Sequence, residues 1–145
     1  MSEPKIRYAK STDIPEITKC FRKLYAGDEE QPFYNSKISL GRLRAGQVIL
    51  LATAGKMIAG FLWLIWYEHI KHKGIAYIEE LYIKLKFRRT GIGRKLVKAA
   101  LEKARKEKLD VAFVSAGVHM PGALKFYEKV GFHPTRKGWF YKSLD

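Results

Sequence analysis

Apolar residues recur in two rhythms along this chain, and the changes between them predict its elements. Residues 5–9 read as a short strand. Ser11, Thr12 and Asp13 then offer a helix N-cap with Pro15 in the first turn, and Ile14, Ile17, Phe21 and Leu24 recur at helical spacing, so residues 13–26 form an amphipathic helix. A second, weaker helix is expected over 35–45, where Ile38, Leu40 and Leu43 are apolar. Residues 47–54 and 57–67 are strand-like runs joined by hairpin chemistry at Ala54-Gly55-Lys56. A basic loop over 69–74 leads into a strong strand over 75–83. Residues 93–108 return to the helical period, with Leu96, Val97, Ala100, Leu101 and Ala104 on one face and mostly Lys and Arg on the other. A short apolar strand over 110–116 follows. A helix then starts at Pro121, with Leu124, Tyr127 and Val130 on one face and Gly131 as its C-cap, and an aromatic strand over 137–143 closes the chain. The order βααβββαβαβ predicts one α/β domain over residues 1–145, with a mixed, mostly antiparallel central sheet flanked by helices.

Composition narrows the class. At 145 residues, 47% hydrophobic and 29% charged, the chain is large enough for one core. Its most apolar window, 57–67, is too short to span a bilayer and reads as a buried strand. Residues 1–5 carry no apolar signal core, so a cytoplasmic location is expected, with no membrane partner. Cys20 is the only cysteine, which excludes an intramolecular disulfide and reads as core filler, and no Cys/His cluster has metal-ligand spacing. The net charge of +14 suits an anionic cofactor, a nucleic acid or an acidic partner, and equally a solvated surface. One Asn and two Gln in the whole chain point to a heat-adapted source, which would assign part of the charge to habitat.

The run Arg88-Arg89-Thr90-Gly91-Ile92-Gly93 carries the most chemistry. Glycines at a helix mouth let the backbone turn tightly and approach a ligand. The free N–H groups of the first turn, with the positive end of the helix dipole, attract an anion, and neighbouring arginines add forked donors suited to phosphate. An ordinary strand-to-helix turn uses the same residues. A dinucleotide fingerprint needs a small residue where Leu96 stands, and a phosphate loop of the Walker type needs a following Gly-Lys-Ser/Thr that is absent.

Downstream, Phe126-Tyr127-Glu128-Lys129-Val130-Gly131-Phe132 completes a combination that resembles the GNAT superfamily of acetyl-CoA-dependent N-acetyltransferases. Arg88–Gly93 matches that family's (Q/R)xxGx(G/A) motif, and the later segment looks like its YExxGF motif. The resemblance covers the whole chain in element order and is most specific over 77–132. It implies that acetyl-CoA is the cosubstrate, its pyrophosphate lying on the N–H groups of Arg88, Arg89, Thr90, Gly91, Ile92 and Gly93, with Arg94 nearby. It implies that the pantetheine arm runs along Leu81, Tyr82 and Ile83, where the family's strand splays from its neighbour, and that the Leu81 N–H meets the thioester carbonyl. Phe126 and Tyr127 belong to the same cofactor-binding set. Met120 stands where many relatives carry an Asn that contacts pantetheine or sets the helix; a thioether cannot reproduce an amide's donor and acceptor.

The implied reaction is direct attack of a primary amine, small molecule or peptide, on the thioester in a ternary complex. Tyr127 matches the family's general acid. Glu79 and Glu80 are candidates for the base. Strict alternation gives Glu79 the parity of Tyr77, Leu81 and Ile83, and Glu80 that of Ile78 and Tyr82; proximity to Leu81 favours Glu79. Of the histidines, His69 and His72 fall in the basic turn, His133 reads as structural, and His119 precedes the last helix and could line the cofactor cleft. Trp63 and Trp66 have opposite parity and cannot both line one cleft. The acidic cluster Asp28-Glu29-Glu30 would suit a cationic amine or a solvated turn. The alternative is a catalytically silent acetyl-CoA sensor or a basic nucleic-acid-associated module, although no nucleic-acid motif is present. Relatives commonly form homodimers, and no residue pattern decides that for this chain.

Overall fold

A computed structural model describes residues 3–25, 45–69, 72–115 and 121–135. The chain divides into two compact units, Met1–Ser115 and Ala116–Asp145. In the first, β1 (Lys5–Tyr8) leads through a 3-10 turn (Ser11–Asp13) into α1 (Ile14–Tyr25). Then follow β2 (Gln47–Ala54), β3 (Met57–His69), β4 (His72–Ile83), a 3-10 turn (Leu85–Phe87), α2 (Ile92–Lys106) and β5 (Val111–Val114). The second unit contains α3 (Pro121–Lys129). The helix expected over 35–44 and the strand over 137–143 lie outside the described residues; Ala45 is in a turn.

The sheet runs β1-β2-β3-β4-β5. Its first three pairings are antiparallel and β4–β5 is parallel, the mixed and mostly antiparallel sheet expected. The basic loop foreseen over 69–74 is shorter than that: β3 and β4 continue until His69 faces His72, so the hairpin is tighter than its charge suggested.

Alternation along the central strands builds two cores. Ile49, Leu51 and Phe61 meet Ile17, Cys20 and Phe21 of α1. The Phe21 and Phe61 ring centroids are 4.9 Å apart, and Trp63 meets Phe21 edge-on at 5.8 Å. The Trp63 indole donates to Gln47 Oε1 at 2.8 Å, which satisfies its buried polar end. Leu50, Leu62 and Leu64 have the opposite parity and are buried on the face covered by α2, whose Leu96, Val97, Ala100 and Ala104 are buried. Trp66 lies on that second face under the Lys103 ammonium, so the two tryptophans do point apart.

At the start of α1, Asp13 accepts from both Nη atoms of Arg7, at 2.8 and 2.9 Å, and from the Lys10 backbone N–H at 2.7 Å. It therefore caps the 3-10 turn and ties β1 to it, one turn earlier than the cap expected for the helix itself. The Arg7 guanidinium holds the Asp13 carboxyl down at about 2.

Candidate functional site

β4 changes character halfway along. Through Ile78 it is hydrogen-bonded to β3 on one side and β5 on the other, the last parallel partners being Ile78 and Val114. Beyond Ile78 only β3 accompanies it among the described strands, and the parallel pairing ends with β5 at Val114.

A β-bulge sits at the same place. Trp63 faces Glu80 and Leu64 faces Ile78, leaving Glu79 as the extra residue on β4. Strict alternation therefore fails across it. Ile78 shares the α2 face with Leu64, and Leu81 shares it with Leu62, although the two positions differ by an odd number. Glu80 lies on the α1 face with Tyr82 and opposite Trp63, and no longer has the parity of Ile78. The parity expected for Glu79 and Glu80 is corrected by this extra residue, which no local apolar pattern announces. Glu79 is half-buried, and desolvation raises its carboxyl above 4.5.

The backbone direction of β4 can be read from its end. The Lys84 N–H donates to the Ala59 carbonyl at 2.8 Å. In an antiparallel ladder successive residues turn their N–H and C=O groups to opposite sides. Tyr82, with Glu80, therefore directs its backbone groups to β3, while Leu81 and Ile83 direct theirs to the open edge. Tyr82 does not offer backbone to that edge; its ring packs on Phe61 at 5.7 Å. Gly60 lets the two strands close here, since a Cβ on it would come within 2.6 Å of the Tyr82 carbonyl and 2.7 Å of the Ile83 side chain.

The turn after β4 places its donors in sequence. Phe87 is buried and anchors the loop, and the Thr90 hydroxyl donates back to the Phe87 carbonyl. Arg89 has φ 61° and Gly91 has φ 86°, so the backbone takes left-handed geometry twice within three residues. Gly91 is the N-cap of α2 and supplies no side-chain cap; the first helical bond is Lys95 N–H to the Gly91 carbonyl, at 3.1 Å. The N–H groups of Ile92, Gly93 and Arg94 thus point out of the helix mouth without a helical carbonyl to meet them. Gly93 is inside the helix, which begins one residue earlier than its spacing suggested. Arg89, Arg94 and Lys98 are exposed around this mouth. Arg88 behaves differently: its Nε donates to the Ile83 carbonyl at 2.9 Å.

In the second unit, the motif around Tyr127 has a structural logic of its own. The Phe132 N–H donates to the Tyr127 carbonyl at 3.0 Å and the Gly131 N–H to the Glu128 carbonyl at 3.1 Å, with Gly131 at φ 102°. This is a Schellman ending, in which the residue after the glycine packs on the one five positions before it. The Tyr127 and Phe132 rings accordingly meet edge-on at 5.6 Å, and the Phe126 ring meets Tyr127 edge-on at 5.1 Å. Tyr, Gly and Phe at this spacing thus fix the phenol's ring. Met120 and His119 lie outside the described residues, as does the acidic cluster at 28–30; His133 is exposed.

Three contacts escaped the sequence reading: the bulge at Glu79, the Arg88 docking on Ile83 and the bidentate Arg7–Asp13 pair. Only the last has a sequence signal, an Asp at a helix start six residues after an Arg at a strand end.

The profile of the acetyltransferase (GNAT) family matches residues 14–132. The chain is 34% identical over 76 residues to an uncharacterized N-acetyltransferase, MJ1207, of Methanocaldococcus jannaschii, a match covering 51% of this chain and 34% of that protein. It is 28% identical over 127 residues to human N-alpha-acetyltransferase 30, covering 88% of this chain and 34% of that protein. The chain thus matches about a third of the length of these curated relatives. An aminoglycoside acetyltransferase, meta-AAC0020, from an uncultured soil metagenomic sample superposes with a TM-score of 0.80 at 22% identity, over 98% of this chain and 97% of that one; that likeness speaks to the fold. With a family match across most of its length and the glycine turn and α2 mouth in place after β4, the chain belongs to the acetyltransferase (GNAT) family.

Proposed function

We propose that this protein transfers an acetyl group from acetyl-CoA to a primary amine, by direct attack of the amine within a ternary complex. The observation that carries the reading is the continuity of two donor sets. The outward-facing N–H groups of Leu81 and Ile83, with the Leu81 carbonyl, lie on the edge of β4 that no described strand pairs, and the uncapped N–H groups of Ile92, Gly93 and Arg94 follow after the 3-10 turn. An extended amide-bearing arm pairs with the first set as an added strand would. A pyrophosphate is accommodated by the second, with Arg89 and Arg94 supplying charge. The donor set fits acetyl-CoA in chemistry and in order along the chain.

Within that arrangement the Leu81 N–H stabilises negative charge developing on the thioester oxygen. Glu79 takes a proton from the ammonium form of the acceptor, directly or through a water. Its raised pKa suits it to the task, since a carboxylate moved toward neutrality is a stronger base. Separately, the family resemblance proposes Tyr127, whose ring packs on Phe126 and Phe132, as the acid that delivers a proton to the departing thiolate. Relatives and fold neighbours include an N-alpha-acetyltransferase and an aminoglycoside acetyltransferase, so a peptide N-terminus and an aminoglycoside are the first two acceptor classes to offer.

The test is consumption of acetyl-CoA across peptides with free N-termini or lysines, aminoglycosides, polyamines and amino acids. Turnover that is saturable in one amine supports the reading. Tight acetyl-CoA binding without turnover on any of them makes the protein a silent acetyl-CoA-binding module instead. Unchanged turnover in Tyr127→Phe removes Tyr127 as the acid.

A further inference from the structure

The first residue of the glycine-turn motif has one of its side-chain donors bonded within the protein. Arg88 is exposed, and its Nε–H is spent on the Ile83 carbonyl at 2.9 Å, while its backbone N–H donates to the Leu85 carbonyl at 3.2 Å. The Ile83 carbonyl is one of the few backbone groups that β4 turns to its open edge. Arg88 therefore bridges the last residue of that edge to the first residue of the anion-binding turn. The chain between them is a single 3-10 turn, Leu85–Phe87, held from below by buried Phe87.

We infer that Arg88 is a positioning residue for the acetyl donor: it sets the distance and angle between the strand edge that pairs with the pantetheine arm and the helix mouth that takes the pyrophosphate. This rests on the donor reading above. The role requires an N–H donor aimed at a carbonyl. It does not require positive charge, because the acceptor is a neutral carbonyl. A guanidinium suits the geometry, since its planar fork holds one direction once a single N–H is bonded. A phosphate contact makes the opposite demand, for charge first and for a phosphate on the donor.

The two roles separate when neutral and charged replacements of Arg88 are compared on donors with and without phosphates. Binding of acetyl-CoA and of S-acetylpantetheine is measured by calorimetry on the full chain, with kcat and KM for each donor on the best acceptor found. The expected result for Arg88→Ala is a loss of affinity of about 5–10-fold for acetyl-CoA, which engages both sites, with kcat reduced because the thioester no longer registers with Leu81, and a smaller loss for S-acetylpantetheine, which engages the strand edge alone. Arg88→Gln, which keeps a planar N–H donor without charge, restores most of the loss, and Arg88→Lys restores less. If Lys rescues and Gln does not, or if Arg88→Ala raises KM for acetyl-CoA with kcat unchanged, Arg88 is a phosphate ligand and the assignment is overturned. Unchanged behaviour of Arg88→Ala toward both donors overturns it as well. Arg88→Gln serves in the same comparison if the alanine variant does not fold. Wild-type protein that binds neither donor overturns the donor reading itself, a result distinct from any outcome among the variants.

Discussion

From Ile75 to Ile78, β4 is hydrogen-bonded on both sides and largely buried, with Ala76 at 0% and Ile78 at 2% exposure. From Leu81 to Ile83 the same strand is half-buried and, among the described strands, paired with β3 alone. The lower half has both edges satisfied and contributes packing. Among the described strands the upper half has one edge unpaired, with the Ile83 carbonyl taken by Arg88, and Tyr82 still packs on the core. The bulge at Glu79 stands at the boundary and shifts the alternation, so that Leu81 lies on the α2 face because of the extra residue. In the proposed reading one strand is core below and ligand edge above, with one inserted residue between the two.

The comparison is broken most forcefully at its boundary. Glu79→Gln keeps the size and half-burial and removes the base; kcat should fall about 10²–10³-fold, roughly 3–4 kcal/mol of barrier. With the pKa raised, the acidic limb of the wild-type rate profile should lie above the ordinary glutamate value of 4.5, activity appearing as the carboxyl ionises. The glutamine variant should lack that limb. The stability sign is opposite. Glu79 favours the fold while protonated, and that contribution is lost as pH rises through its elevated pKa, so Glu79→Gln should be as stable as wild type or more so near neutrality.

Ile78→Ala tests the lower half. It opens a cavity between sheet and α2 and should lower unfolding stability by about 2–4 kcal/mol in urea titration, with kcat and KM near wild type at temperatures where the variant stays folded. A specific loss of acetyl-CoA affinity there would blur the two halves.

Gly91→Ala sharpens the comparison on the side of the turn. The added Cβ meets no neighbour within 4 Å, but φ 86° is unfavourable for any L side chain. The strain is about 1–2 kcal/mol, and should appear partly as a higher KM for acetyl-CoA, because relief of it displaces the helix-mouth amides. Thermal melts and donor kinetics on the same preparation read both parts.

The smallest effect lies far from β4. Asp13→Ala removes the clamp on Arg7 and should cost about 1 kcal/mol, since the pair is partly solvated. Because the Asp13 carboxyl is held at about 2 against an ordinary 3.8, its contribution is present above pH 4 and lost as pH falls toward 2. The melting temperatures of wild type and Asp13→Ala should therefore converge across that window. Donor kinetics should not change.

What the sequence made legible follows the same division. The periods of β2, β3 and α2 were clear because each must bury a face, and burial demands a pattern. The turn at 88–93 and the segment at 126–132 were clear because their glycines and aromatics answer to backbone geometry: left-handed φ at Gly91 and Gly131, and the Phe132 ring on Tyr127. The bulge was hidden because Glu79 and Glu80 are alike in type, so an inserted residue leaves no break in polarity. The role of Arg88 was hidden for another reason. A charged side chain beside an anion site reads as a ligand until its Nε–H is found on a neutral carbonyl.

The most direct test of the central claim is amide hydrogen exchange of the full chain, resolved by residue, with and without saturating acetyl-CoA. The account predicts new protection at Leu81 and Ile83 and at Ile92, Gly93 and Arg94, while Ile75 to Ile78, already bonded on both sides, change little. Bound acetyl-CoA that leaves Leu81 and Ile83 exchanging at their free rates would contradict it.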